Sequence, residues 1–206
     1  MALCKQAKIL SDRQVRTLWA EVQFHLYPLR LEIFHALAAA GGPPAEVLID
    51  SSAVKAHRCA SGGKGGTQSG DRSLTRWADH KNHALTDACF RPIAFLLTGG
   101  QVADCIAADE LLDGLLTAQI LHGDKGYDSN AVRRKIESKG AVPNIPPKTN
   151  RRWKNCFSPW LYRHRNAIER MFGRLKDFRR IATRYDRLAR NFLAAVCLAA
   201  TLCYWL

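Results

Sequence analysis

Apolar residues in this chain come in short runs separated by glycine, proline and polar breaks, and the runs switch between two periods. After the breaker Gly41-Gly42-Pro43-Pro44, the stretch AEVLIDSSAVKAHR is apolar and β-branched, which predicts a buried strand over 46–55. The same signal predicts strands at 83–89 and 93–97, joined by a turn at Phe90-Arg91-Pro92, and further strands at 118–121 and 141–145. Pro146-Pro147 ends the last of these. Helical spacing predicts helices at 107–116, at 129–139 with Ser129 as N-cap, from Ser158 or Pro159 through Glu169, and at 190–206. Leu29, Leu31, Ile33, Phe34 and Leu37 give residues 1–40 a helical pattern. Ser61 to Ser73, rich in glycine and serine, reads as a mobile loop. Three strands, helix, strand, helix, strand and then helices amount to an α/β chain with a mixed sheet.

One predicted helix carries unusual chemistry. In LYRHRNAIERMFGRLKDFRR, Tyr162, Arg165, Glu169 and Lys176 are spaced three, four and seven residues apart, so they fall on one stripe. Leu161, Ile168, Met171, Phe172, Leu175 and Phe178 form a neighbouring apolar face suited to a core. Arg163, Arg170 and Arg174 make a third face. Glu169 paired with Arg165 at i,i+4 on a solvated helix is the plain reading of the carboxylate. Two aspartates argue for more. Asp50 interrupts the apolar run of the first strand, where an acid is costly unless paired or metal-bound. Asp124 lies just past the 118–121 strand, between Gly123 and Gly126, which allow close approach of backbone to a ligand. A turn-forming Asp at a strand end is the alternative for Asp124.

Charge sharpens the picture. Lysine and arginine number 31 against 18 acids, a net +13. Residues 148–190 hold 14 Lys or Arg and 3 acids, so +11 of the excess falls there. A basic block around a carboxylate points to a phosphate-backbone partner. Seven scattered cysteines without a Cys-x-x-Cys pair fit reduced thiols and make a zinc ribbon a poor reading. His80 and His83 lack a third metal ligand. The start of the chain lacks a signal-peptide apolar stretch, and 192–206 is too short to span a bilayer.

Asp50, Asp124 and Glu169, in the order strand, strand, helix, resemble the acids of DDE transposases of bacterial insertion sequences, within the ribonuclease-H-like superfamily. The match is closest to the insertion sequence 5 family. It rests on LIDSSAVKAHR, on Asp124-Lys125-Gly126-Tyr127-Asp128, and on the Y-R-E-K signature at Tyr162, Arg165, Glu169 and Lys176. RPIAFLLTGGQVAD, AVPNIPPKTNR and FRRIATRYDRLARNFLAAVCLAA also look like that family. The resemblance implies a ribonuclease-H-like mixed sheet flanked by helices, with a short helical N-terminal extension: a divergent segment over 1–40 and a catalytic domain over 41–206. It implies metal-dependent DNA strand cleavage and strand transfer. Asp50, Asp124 and Glu169 would hold two Mg2+ ions, with Mn2+ able to substitute. Tyr162, Arg165, Lys176, Arg170 and Arg174 would contact DNA. The partners implied are double-stranded DNA at element ends and target, and a second copy in an active homodimer. The setting implied is the bacterial cytoplasm at the nucleoid, with no membrane. A non-catalytic DNA-binding remnant and a nuclease that cuts without joining are the rival readings.

Two departures stand out. Asn82, in LTRWADHKNHALTDA, occupies a place where the family has an apolar residue, and Arg76 to His80 is unlike it. Met1 to Pro28 does not resemble the family's N-terminal region, so binding with little sequence preference and weak mobilisation of the element are expected.

Overall fold

The computed structural model describes residues 12–60, 79–115 and 117–206, with the side chains of 12–25 and of Asp79 left aside. The loop expected at 61–73 and the segment 76–78 lie outside the described residues. Helix α1 (Asp12–Ala40) leads into β1 (Glu46–Ala56), β2 (Asp79–Asp87) and β3 (Pro92–Gly99). Then come α2 (Asp104–Asp113), β4 (Ile120–His122), α3 (Asn130–Ser138) and β5 (Val142–Asn144). The chain ends with α4 (Pro159–Tyr162), α5 (Asn166–Lys176), α6 (Arg179–Ala182), β6 (Thr183–Arg184) and α7 (Ala189–Tyr204).

The sheet order is β3-β2-β1-β4-β5, with β6 pairing the far end of β1. β1 to β3 are antiparallel neighbours, whereas β4 runs parallel to β1 and β5 parallel to β4. This mixed sheet, covered by helices on both faces, has the α/β layering that the sequence led us to expect. One face buries Leu48, Val54, Ala84 and Leu97 under Phe34 of α1, Ile168, Met171, Phe172 and Leu175 of α5, and Phe192 and Val196 of α7. The other buries Val47, Ile49, Leu85 and Leu121 under Leu111 and Leu112 of α2 and Val132 and Ile136 of α3. β1 is therefore apolar on both sides, as its sequence required, and Asp50 sits in its middle.

Several boundaries differ from the pattern-based expectation, each for a local reason. β2 ends at Asp87 rather than Cys89, because Asp87 Oδ1 accepts hydrogen bonds from the Cys89 and Arg91 backbone N–H groups and folds the chain into a turn. Phe90 takes φ 68° at that turn. α2 begins at Asp104, three residues before the expected Ala107, with an acid in its first turn that suits the helix dipole. The helix expected from Ser158 onward does start there: Ser158 Oγ accepts from Leu161 N–H and Pro159 follows at the first helical position. It is not continuous, since one tighter 3-10 turn at Arg163–Arg165 separates α4 from α5. Ser129 caps α3 as expected, accepting from Val132 N–H at 3.1 Å. α6 and β6 are too short for periodicity to reveal.

Candidate active site

β1 and β4 bring two of the acids side by side. Their register pairs Val47 with Leu121 and Leu48 with His122, where β4 ends, and Asp124, two residues further on, is near enough for its charge to act on Asp50. Gly123 lets the chain leave β4 close to β1: a Cβ there would lie 3.0 Å from Ile49 Cγ2. Asp124 then caps a 3-10 turn, its Oδ1 accepting from Gly126 N–H at 2.8 Å. Asp124 therefore does form the turn, and it does so beside Asp50.

The third acid arrives on α5. Arg165 Nη1 donates to Asp50 Oδ2 at 3.3 Å, and its Nη2 donates to Glu169 Oε1. One guanidinium thus stands between Asp50 and Glu169. Its Cζ lies 5.5 Å from the Tyr162 ring centroid, and Tyr162 meets Phe157 edge-on at 5.2 Å. Lys176 Nζ donates to Ala53 O at 3.2 Å, tying the end of α5 back to β1. Tyr162 at the end of α4, Arg165 in the 3-10 turn, and Glu169 and Lys176 on α5 therefore lie together on the β1 side of this helical stretch. Arg170 and Arg174 do not join them. Their guanidinium carbons lie 4.5 Å from the Phe90 ring and 5.2 Å from the Tyr204 ring, on another side of the helix.

Electrostatics mark Asp50 as the pivot. Burial pushes its carboxyl up to about 6, and Asp124 and Glu169 push the same way, against the Ser51 N–H bond and Arg165. Its side chain is 15 % exposed and that of Glu169 is 51 % exposed. Negative charge concentrated this way favours a bound cation. Among the described residues, no three ligating side chains are already drawn together around one point. The fit to a divalent ion is that Asp50 and Asp124 are neighbours that could share one, while Glu169 is turned to Arg165, which stands between it and Asp50.

The structure adds residues that the sequence reading passed over. Glu46 Oε2 is 2.9 Å from His164 Nδ1 and 3.3 Å from His122 Nε2, although the latter contact is poorly directed for a hydrogen bond. Asn144 Nδ2 donates to His122 Nδ1 at 3.1 Å, which places the imidazole proton on Nε2, facing Glu46. This clamp holds the Tyr162–Arg165 segment against the start of β1 and the end of β4. No spacing in one dimension links residues 46, 122 and 164. Asp128, the last residue of the D-K-G-Y-D motif, is structural: its buried carboxylate accepts from Arg133 Nε at 2.8 Å, Lys148 N–H at 2.8 Å and Arg151 Nε at 2.5 Å. His80 and His83 lie on a strand, where an odd separation sends them to opposite faces. Asp104, on α2, approaches the site from behind.

The transposase DDE domain family matches residues 41–206. The chain is 34 % identical over 127 residues to a protein of Brucella ovis assigned as the transposase for insertion sequence element IS6501, covering 61 % of this chain and 97 % of that protein. It is 29 % identical over 136 residues to one of Burkholderia cepacia assigned to insertion sequence element IS402, covering 61 % of this chain but only 62 % of that protein. Among solved structures it resembles the catalytic core domain of BIV integrase, with a TM-score of 0.44, 14 % identity, and coverage of 76 % of this chain and 81 % of that one. On the match to residues 41–206, this chain belongs to the transposase DDE domain family.

Proposed function

We propose that the chain cuts DNA phosphodiesters and joins the freed 3′-hydroxyl to target DNA, with Asp50, Asp124 and Glu169 as its metal-binding carboxylates. The observation that carries this reading is the placement of Asp50 in β1 and of Asp124 two residues past the end of the neighbouring parallel strand β4, with Glu169 linked to Asp50 through Arg165. DDE transposases as a family use divalent ions, and Mg2+ suits three hard oxygen donors, with Mn2+ as substitute. Bound ions supply the polarisation that activates a water or 3′-hydroxyl and stabilises the leaving oxygen. The protein groups do the rest. Asp50 and Asp124 hold the charge at the central strand of the sheet. Arg165 and Lys176 offer donors to the phosphates on either side of the cut. Tyr162 presents its ring to the sugar or base beside it. Glu169 is more than half exposed, and an exposed Arg–Glu pair is worth only about 0.2–1 kcal/mol. An incoming phosphate therefore competes readily for Arg165 and leaves Glu169 free to turn to Asp50. Duplex DNA at element ends and target is the substrate, and two copies of the chain act together on paired ends.

The test is a pair of variants read in two assays. Glu169→Gln keeps shape but loses charge, and should abolish Mg2+-dependent nicking while leaving DNA affinity within a few-fold of wild type. Lys176→Ala should weaken binding and lower the slope of log affinity against log salt by about one. Equal loss of binding in both variants across a salt series contradicts these roles. Nicking without joined products would instead mark a nuclease, and binding without nicking a DNA-binding remnant.

A further inference from the structure

We infer that Asp104 is a positioning residue that sets the spacing of the Asp50 and Asp124 carboxylates from the far side of the sheet, an inference that rests on the metal-dependent reading above. Asp104 opens α2, on the sheet face opposite α5. Its Oδ1 accepts from Ser51 Oγ at 3.1 Å and from Lys81 Nζ at 3.1 Å. Ser51 follows Asp50 in β1, so its side chain points to the other face, while its backbone N–H donates to Asp50 Oδ1 at 2.8 Å. Ser51 is thus held on one face by Asp104 and holds Asp50 on the other. The second oxygen of Asp104 lies against Gly126, two residues past the other acid. A Cβ at Gly126 would sit 2.9 Å from Asp104 Oδ2 and 2.9 Å from Asp124 Oδ1. The two carboxylates therefore approach each other over the bare Cα of that glycine. One side chain touches both segments that carry the paired aspartates.

Asp104 is itself fixed. Lys81 Nζ, which also donates to Val102 O at 3.1 Å, neutralises it. Tyr127 and His83 fill the space beneath, with Tyr127 Oη 3.5 Å from His83 Nδ1 and His83 Nε2 2.9 Å from Thr98 Oγ1. Burial holds both rings neutral, pushing His83 down to about 4 and Tyr127 up. Paired with a lysine and a serine, Asp104 is a support for the ligating acids rather than one of them. Groups that orient ligating carboxylates are typically worth about 10–100-fold in metal affinity.

The experiment titrates Mn2+ into the DNA-free full chain, with free Mn2+ followed by electron paramagnetic resonance and thermal unfolding recorded alongside. Asp104→Ala should weaken Mn2+ binding about 10–100-fold while the unfolding midpoint moves by only a few degrees. Ser51→Ala should repeat the loss, because the path runs through that hydroxyl. Asp104→Asn keeps an oxygen acceptor for Ser51 and should recover most of the affinity. In nicking assays the metal concentration for half-maximal rate should rise in Asp104→Ala with the saturated rate little changed. Wild-type Mn2+ affinity in both alanine variants overturns the inference alone. So does a loss that asparagine fails to recover and that tracks the unfolding midpoint. A wild-type chain that binds no Mn2+ overturns the cleavage reading, and this inference with it.

Discussion

Arg165 is a cation standing where two acids leave room for one. It bonds Asp50 and Glu169 together while resting near the ring of Tyr162. A metal ion and the guanidinium therefore compete for the same negative charge. Removing the competitor should raise metal affinity even as it damages DNA handling. Arg165→Ala should bind Mn2+ up to about fivefold more tightly in calorimetry without DNA, in line with an exposed pair worth up to about 1 kcal/mol. Its nicking rate should fall. Unchanged or weaker Mn2+ binding would show that the guanidinium does not occupy the ion's place. The stripe of Tyr162, Arg165, Glu169 and Lys176 was legible because helical spacing is a local property. Asp104, Glu46 and His122 were not, because each acts on a residue distant in sequence, and the contacts exist only once the sheet has formed.

At the scale of the element, β2 carries a defect that the sequence announced. Asn82 is 2 % exposed and its Oδ1 has no hydrogen-bond partner among the described residues. It lies on the face shared with Ala84, under the core that includes Val54 and Leu97. A buried acceptor left unpaired costs about 1–3 kcal/mol. Asn82→Val should recover part of that and raise the thermal midpoint by a few degrees, at about 2–4 °C per kcal/mol for a chain of this size. A lower midpoint would mean that the amide is satisfied in solution. β1 and β3 were readable from the apolar runs at 47–49 and 92–97, whereas the polar start of β2, Asp79 to Asn82, gave no such signal. Strand ends were less readable. Asp87 ends β2 through its side chain, a local turn that no count of apolar residues contains.

For the whole molecule, Asp128 is the tie between α3 and the start of the basic block. Its carboxylate joins Arg133 of α3 to the 148–151 segment, with the Arg133 Nη2 group also donating to Ile145 O at 2.7 Å. Burial works to raise this carboxyl, but the Lys148 N–H, Arg151 and Arg133 outweigh it and hold it below the usual range. A depressed carboxyl gives stability that is fully present above the unfolded value of about 3.9. That stability is lost as pH falls from there through the lower folded value. Asp128→Asn should cost about 3–5 kcal/mol at neutral pH, because Arg133 is left buried without its counter-charge. Below pH about 4 the gap between variant and wild type should narrow in thermal melts. A constant gap down to acid pH would assign the loss to packing.

The position of β1 has a consequence for how the chain is made. Its partner on one side, β2, follows within a few dozen residues, but its other edge pairs only with β4 at Ile120–His122 and β6 at Thr183–Arg184. A chain emerging from the ribosome therefore carries an eleven-residue strand with one bare edge until more than half of it has been synthesised. Such edges recruit foreign strands. The polar run at Asp50, Ser51 and Ser52, which later supports the chemistry, makes that waiting edge a poor template for aggregation.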